Sequence, residues 1–327
     1  MVDDLRLPSS LKNRIRDSHK TEVRMGADFY LFDVGHGQCA ALRLVCEMWC
    51  IFDVGATGGF NPVKWIANNY WDSKSPWAGL IAKTKSPFYK ATISHLHGDH
   101  LDAWTDLFVN YPPTLFRTNE YDVEYLSDSE SSNSTHGWDL VKGFIGHHLA
   151  SGLSMRMIPS YGSNISIREL SLSPELARLV GGGAGSRVNN ASVVTRIDLY
   201  GKSILICGDM EKDAWQYVLD NSSAWRNLVS DINILVAPHH GHRSAYSVDL
   251  MSYAQPEVVL VSATSKDPSL DSRYSSESVN GITIAEDSYK YISTRSAGHI
   301  KVTFDMMDQL LKERLGTWRF GDYALTG

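Results

Sequence analysis

The sequence is poor in cysteine and has neither a long apolar run nor an excess of positive charge. Its four cysteines, among 327 residues, include no CxxC pair, which argues against a disulfide framework and against a cysteine-based structural zinc site. No apolar stretch reaches the ~18–20 residues that a membrane-spanning helix needs. The first residues lack a basic segment followed by an apolar one, so no signal peptide is predicted. We therefore expect a cytoplasmic protein with reduced thiols and no membrane partner.

The overall charge gives only a weak indication of partners. The chain has 31 basic and 37 acidic residues, a net charge of −6, which does not mark it as a nucleic-acid-binding protein. Nucleic acid is still compatible with this charge, because bound metal ions add local positive charge that the count omits. The glycine-rich run at 181–185 lacks the Lys and Ser or Thr that follow a phosphate-binding loop. We predict that this run forms a flexible loop at the mouth of a site.

The most informative stretch follows the apolar run 89–93. Four metal-capable side chains lie close together there: His95, His97, Asp99 and His100. Apolar positions at helical spacing follow over 101–108, so we predict a strand, a tight turn at Gly98 and then a helix. Imidazole nitrogens and carboxylate oxygens are ligands expected for zinc or manganese. The pattern therefore predicts two divalent ions, roughly 3.5–4 Å apart, in a hydrolytic centre. The alternative is a solvated surface cluster of histidines.

Two further strand ends supply the remaining predicted ligands. Asp209 follows the apolar run 203–207 and one glycine, and His239 follows the apolar run 232–237. A carboxylate at such a position can bridge two cations, and an imidazole can complete the coordination of the second cation. The alternatives are a helix N-cap for Asp209 and a surface loop for His239.

Other polar residues at turns are predicted to support the metal ligands or to contact substrate. They are Asp33, His36, Asp53, Asn190, His242 and Arg243. Either Asp could simply cap a turn. We predict that Asp99, Asp209 and His240 are catalytic, with His240 or His242 donating to a leaving oxygen or contacting a phosphate.

The HxHxDH pattern at 95–100 resembles the signature of the metallo-β-lactamase superfamily. The alternation of strand, turn and helix through both halves of the chain fits the αββα four-layer sandwich, a mixed α/β fold, that this resemblance implies. The resemblance also implies that Asp53 supports the ligand loop from outside the ligand set. Many relatives have a histidine ligand near Asn189 and Asn190, where this chain has none.

A finer resemblance extends over most of residues 28–305. Seven segments are similar to the metallo-β-lactamase-like domain of ComEC-type DNA-uptake proteins: 32–38, 52–55, 94–100, 189–192, 207–211, 238–241 and 291–300. The chain departs from that family at His36 and Cys39, and at His242 and Arg243. The resemblance implies phosphodiester cleavage as the inherited chemistry.

These observations together predict a metal-dependent phosphodiesterase, most simply a DNA or RNA nuclease. A hydrolase of a small phosphodiester, cyclic nucleotide or lactone is the alternative, and a non-catalytic binding module is the third possibility. We predict one domain over 1–327, with an N-terminal extension (1–26), a mobile acidic insertion (119–137) and a C-terminal addition (305–327). The N-terminal extension is predicted to contain a solvated helix, and docking of a protein partner there is the alternative.

Overall fold

The computed structural model describes residues 26–44, 47–70, 86–119, 165–264, 268–276, 279–284 and 287–305. Apart from their boundary residues, the predicted N-terminal extension, acidic insertion and C-terminal addition lie outside this part of the chain. Those three assignments, and the predicted domain limits, stay predictions.

The first sheet has six strands in the order β14-β1-β2-β3-β4-β5. The strands are β1 (Gly26–Leu31), β2 (Ala40–Arg43), β3 (Trp49–Phe52), β4 (Phe88–Thr92), β5 (Leu115–Arg117) and β14 (Ile300–Asp305). Strands β14, β1, β2 and β3 pair antiparallel, whereas β3, β4 and β5 pair parallel. The carboxyl ends of β3 and β4 therefore meet at one edge of this sheet.

The second sheet also has six strands, in the order β13-β10-β9-β8-β7-β6. The strands are β6 (Ile165–Leu170), β7 (Val194–Leu199), β8 (Lys202–Ile206), β9 (Ile234–Val236), β10 (Val258–Val261) and β13 (Tyr291–Ser293). Strands β8, β9, β10 and β13 run parallel, so their carboxyl ends also meet at one edge. A short hairpin of β11 (Ile282–Ile284) and β12 (Asp287–Tyr289) lies apart from both sheets.

Helices connect many of these strands. They are α1 (Pro62–Tyr70), α2 (Pro174–Leu179), α3 (Ala184–Asn190), α4 (Lys212–Asn221), α5 (Ser223–Val229), α6 (Val248–Ala254) and α7 (Thr294–Ala297). Helix α4 buries one face through Ala214, Trp215, Val218 and Leu219, at helical spacing. No helix in the described part of the chain has the length and apolarity to cross a membrane.

Strand residues are buried on both faces, which fixes the layer order. In β8, Ile204 and Ile206 belong to the core shared by the two sheets, whereas Leu205 packs on the outer side with α4 residues such as Trp215. In β1, Phe29 likewise faces the shared core, and its neighbours pack outward against α1. This alternation gives each sheet one inner and one helix-covered face. The predicted αββα four-layer sandwich is confirmed.

Two local predictions differ from the structure. The glycine-rich run does not stay a loop: Gly181 and Gly182 take positive φ angles, and helix α3 begins at Ala184. The 3₁₀ turn at Gly98–His100 lies where a turn was predicted, but the regular helix predicted over 101–108 is interrupted, and a π-helical turn forms at Asp106–Asn110. The reason is that Val54 accepts a hydrogen bond from the Ala103 N–H, and this contact outside the helix holds the chain.

Candidate metal centre

The predicted ligands gather where strands of both sheets end. Asp53 follows β3, the segment 94–100 follows β4, Asp209 follows β8 and the segment 238–241 follows β9. The Val193 N–H donates to the Ser94 carbonyl at 2.8 Å, and this bond joins the loops of the two sheets. The site therefore lies in the crevice at one rim of the sandwich, where side chains from several strand ends can converge.

Two groups of donor atoms converge at this rim. The first group is His95, His100 and Asp209, and the second group is Asp99, His100 and His240. Within each group the ligand atoms all lie within 4.8 Å of one another. The groups share His100, so they form a single centre.

Asp209 contacts both groups. Its Oδ1 lies 3.3 Å from His100 Nε2, and its Oδ2 lies 3.7 Å from His95 Nε2 and 3.5 Å from His240 Nε2. His240 Nε2 also lies 3.2 Å from Asp99 Oδ2. The Asp209 carboxylate therefore contacts donor atoms of both groups.

The donor atoms fit a divalent cation. Asp209 Oδ1 is buried and accepts no hydrogen bond from the described residues, although a buried carboxylate oxygen is normally satisfied. Nitrogen and oxygen donors of this kind are the ligands of zinc and similar ions. The histidine and aspartate groups thus have the chemistry of a divalent metal site.

Electrostatic interactions keep the carboxylates ionised. Burial favours the neutral form of Asp209, but the positive charges of His100 and His240 outweigh it and hold the pKa of Asp209 well below its usual range. The same histidines lower the pKa of Asp99. Burial disfavours the charged form of His100, but its carboxylate neighbours, Asp209 foremost, raise its pKa. Without a bound cation, the positive charge of the protonated His100 imidazole compensates the negative charge of the carboxylates.

His95 differs from His100 in this respect. Burial and the nearby charge of His100 lower the pKa of His95 well below its usual value, so its imidazole is neutral. A neutral imidazole is the form that binds a metal. His95 Nε2 lies 3.0 Å from His97 Nδ1, so the structure places His97 beside the first group.

Asp53 lies beneath the ligand loop, fully buried. Its Oδ1 accepts the Ser94 N–H at 2.6 Å, and its Oδ2 lies 2.8 Å from both Ser94 Oγ and His100 Nδ1. This contact orients the His100 ring so that Nε2 faces the shared centre. Asp53 has a positive φ of 58°, a conformation that costs free energy in a residue other than glycine.

A left-handed turn decides which of two adjacent histidines enters the centre. His239, His240 and Gly241 have φ angles of 50°, 55° and 77°. His240 turns inward and is 3% exposed, whereas the His239 side chain is 26% exposed and its Nε2 lies 3.9 Å from Asp209 Oδ2. The sequence indicated His239 as the ligand, but the structure brings His240 into the second group. Local sequence does not reveal this, because non-glycine residues rarely adopt such φ angles.

Other predicted residues surround the centre at varying distances. His36 Nε2 lies 3.7 Å from Asp99 Oδ2, with its side chain 68% exposed. His242 Nδ1 lies 2.8 Å from Ser244 Oγ, and exposed Arg243 donates to the Pro268 carbonyl at 3.4 Å. His36 is therefore adjacent to the second group, whereas Arg243 contacts a neighbouring loop.

Asp33 and Asn190 have local hydrogen-bonding partners. Asp33 Oδ1 accepts the Gly35 N–H at 3.2 Å, which closes a turn. Asn190 Oδ1 accepts the Glu211 N–H at 3.0 Å and so holds the segment after Asp209. Neither residue belongs to the two donor groups.

Sequence analysis did not single out the serines that line the ligand loops. The Asp209 N–H donates to Ser192 Oγ at 2.9 Å, and Ser94 Oγ lies 3.0 Å from His95 Nδ1. Gly208 lies between them with a φ of 56°, and a Cβ there would lie 2.8 Å from Ser192 Cβ. Ser94 directly before His95 and Gly208 directly before Asp209 were the available signals, but the contact between Ser192 and Asp209 depends on the packing of the two sheets.

Comparison with known proteins gives structural similarity only. No protein-family model matches the chain, and no curated protein matches its sequence significantly. The metallo-β-lactamase fold protein YhfI from Bacillus subtilis is 9% identical, with a TM-score of 0.33 over 65% of this chain and 70% of that one. The short form of human tRNase Z is 12% identical, with a TM-score of 0.32 over 72% of this chain and 93% of that one.

A third similar structure is Zn²⁺-bound PqqB from Methylobacterium extorquens. It is 10% identical, with a TM-score of 0.35 over 64% of this chain and 71% of that one. At these values the similarities carry no information about activity. The fold description rests on the strand order and packing of this chain.

Proposed function

We propose that this protein is a metal-dependent hydrolase that cleaves phosphodiester bonds with two bound divalent ions, zinc or manganese, and that nucleic acid is its substrate. The observation that carries this proposal is the position of Asp209, a buried carboxylate in contact with both groups of donor atoms. A carboxylate that joins two ligand groups is the arrangement expected of a two-metal centre.

The proposed ligands divide between two ions. We assign His95, His97 and Asp209 to one ion and Asp99, His100, His240 and Asp209 to the other. When bound, the ions would offset charge on the phosphate oxygens and lower the pKa of a water molecule. His240 thereby becomes a ligand in this proposal, in place of the proton-donating role predicted for it, and His239 moves out of the ligand set.

The remaining side chains hold or surround this set. Asp53 fixes the ring of His100 through the 2.8 Å contact with Nδ1. His36 lies at the exposed side of Asp99, and we assign it to substrate contact. His242 and Arg243 follow the second ligand segment along the chain, and we assign them to the outer part of the substrate site.

The choice of a polynucleotide over a small ester depends on the resemblance to ComEC-type domains. A small phosphodiester or a lactone would use the same donor groups and differ only in the surrounding pocket. Cleavage assays on a panel of different substrates are therefore needed to identify the substrate.

The test is a cleavage assay on purified protein treated with a chelator and then supplied with zinc or manganese. The panel contains linear single-stranded DNA, double-stranded DNA, RNA, bis-nitrophenyl phosphate and a lactone. We expect no cleavage after chelation and recovery with metal, with the polynucleotides cleaved fastest. Recovery only on the lactone would contradict phosphodiester cleavage, and metal-independent cleavage would contradict the proposed centre.

A further inference from the structure

Gln38 lies fully buried beneath the candidate metal centre. Its Nε2 donates to Asp53 Oδ2 at 3.0 Å. Its Oε1 is buried and makes no hydrogen bond with the described residues. One half of this amide is therefore satisfied and the other half is not.

The unsatisfied oxygen is costly for folding. A buried acceptor without a partner destabilises the folded state, whereas an apolar side chain of similar shape would avoid that cost. A single hydrogen bond such as the one to Asp53 does not typically offset it. Stability alone therefore does not account for an amide at this position.

The Gln38 Nε2 donor contacts the Asp53 carboxylate, which orients the ligands. Asp53 Oδ2, which accepts from Gln38, is the same atom that lies 2.8 Å from both His100 Nδ1 and Ser94 Oγ. Ser94 Oγ in turn lies 3.0 Å from His95 Nδ1. One amide donor thus restrains the carboxylate on which two proposed ligands depend.

The backbone of Gln38 is held from both sheets. The Gly55 N–H, after β3, donates to the Gln38 carbonyl at 2.9 Å. Ser262, just after β10 of the second sheet, donates to the Gly37 carbonyl at 2.6 Å. Gly37 has a φ of +130°, and a Cβ there would lie 2.3 Å from the Asp99 carbonyl oxygen. The loop that carries Gln38 therefore has little freedom to move, and it holds the side-chain amide next to Asp53.

We infer that Gln38 is a positioning residue for the metal centre: through Asp53 it fixes the orientation of His100 and His95 toward the bound ion. This inference rests on the metal centre of the proposed function. It extends that centre to a residue that touches neither metal nor substrate.

The test replaces Gln38 by Met and separately by Leu, two apolar side chains of similar size that have no donor. The zinc dissociation constant is measured by competition with a chromophoric chelator. We expect each variant to bind zinc more weakly, by less than the roughly 10–100-fold caused by losing a direct outer partner of a ligand, because Gln38 acts through Asp53. The Co²⁺-substituted protein should show a shifted visible absorption spectrum, because ligand geometry changes. The metal-free Gln38→Met protein should unfold at the wild-type temperature or above it.

The matched control is Asn233→Ala, at the opposite end of the sandwich. The Asn233 side chain accepts the Ser203 N–H at 2.8 Å, so its loss should lower the unfolding temperature without changing the zinc constant or the cobalt spectrum. Wild-type affinity in both Gln38 variants would overturn the inference. Weaker binding with an unchanged cobalt spectrum and a lowered metal-free unfolding temperature would also overturn it, because the role would then be structural. If the wild-type protein itself binds no metal, the proposed function fails instead.

Discussion

The two ends of the second sheet surround an acidic side chain with different basic groups. At one end Asp209 lies among His95, His100 and His240, and one of its oxygens accepts no hydrogen bond from the described residues. At the other end Asp198, on β7, receives hydrogen bonds from Arg196 Nε at 2.7 Å and Arg168 Nη2 at 2.9 Å. Guanidinium groups beside the second carboxylate are always charged, whereas an imidazole beside the first carries a positive charge only while it is protonated.

The far end also contains a cavity of about 380 Å³, lined in part by Arg196, Asp198 and Lys202. Lys202 Nζ lies 3.1 Å from Glu257 Oε1, so another charge there has a fixed partner of opposite sign. A cavity with polar walls is therefore not enough to indicate a site. What distinguishes the candidate metal centre is a buried carboxylate surrounded by imidazoles, side chains that bind a metal in their neutral form.

The largest expected effect is that of Asp209→Asn. Removing the shared carboxylate should abolish the second metal equivalent and reduce phosphodiester cleavage by more than the ~10–100-fold typical of an outer partner. The matched control is Asp198→Asn, which removes a carboxylate of the same sheet at the opposite end and should retain metal and activity. Metal content and cleavage rate are measured on both proteins. Equal losses of metal and of cleavage rate in the two variants would contradict the proposed difference between the two ends of the sheet.

A smaller difference separates the adjacent histidines. His240 Nε2 lies 3.2 Å from Asp99 Oδ2, whereas the nearest carboxylate contacts of the more exposed His239 lie at 3.7 and 3.9 Å. We expect His240→Ala to weaken metal binding at least tenfold more than His239→Ala does. Competitive chelator titration of both variants measures the difference. Stronger dependence on His239 would restore the assignment indicated by the sequence.

The smallest effect concerns pH at the far end. Burial favours the neutral form of Asp198, but Arg196 and Arg168 outweigh it and lower the pKa of this carboxyl. Its contribution to stability is therefore present above the unfolded value near pH 3.9 and is lost as the pH falls through the lowered folded value. Because the pair is partly exposed, we expect Asp198→Asn to cost about 1 kcal/mol or less at pH 7, and a smaller amount at pH 3. Urea unfolding at the two pH values measures this, and an equal cost at both would contradict the pairing.

Sequence reasoning located the strand ends well because the signal there is local. Apolar runs that stop at Asp53, His95 or Asp209 identify both the strand and the polar residue that emerges from it. The order of layers followed from the alternation of strands and helices.

Features that depend on packing or on unusual backbone angles were not predictable in this way. The inward position of the His240 side chain, next to the more exposed His239, follows from successive positive φ angles. Lys90 lay within a run interpreted as apolar. It is buried, with its Nζ 2.9 Å from Glu169 Oε2, and this salt bridge joins β4 of one sheet to β6 of the other. The partner of each such residue is distant in the sequence, and no local pattern specifies it.

The central claim is that the shared carboxylate and the two donor groups hold two divalent ions. The most direct measurement is elemental analysis of the full-length protein, stripped with chelator, reloaded with zinc or manganese and freed of excess metal. The account predicts two equivalents of metal for each chain in the wild type and fewer in Asp209→Asn. A wild-type protein that retains no metal after reloading would contradict it.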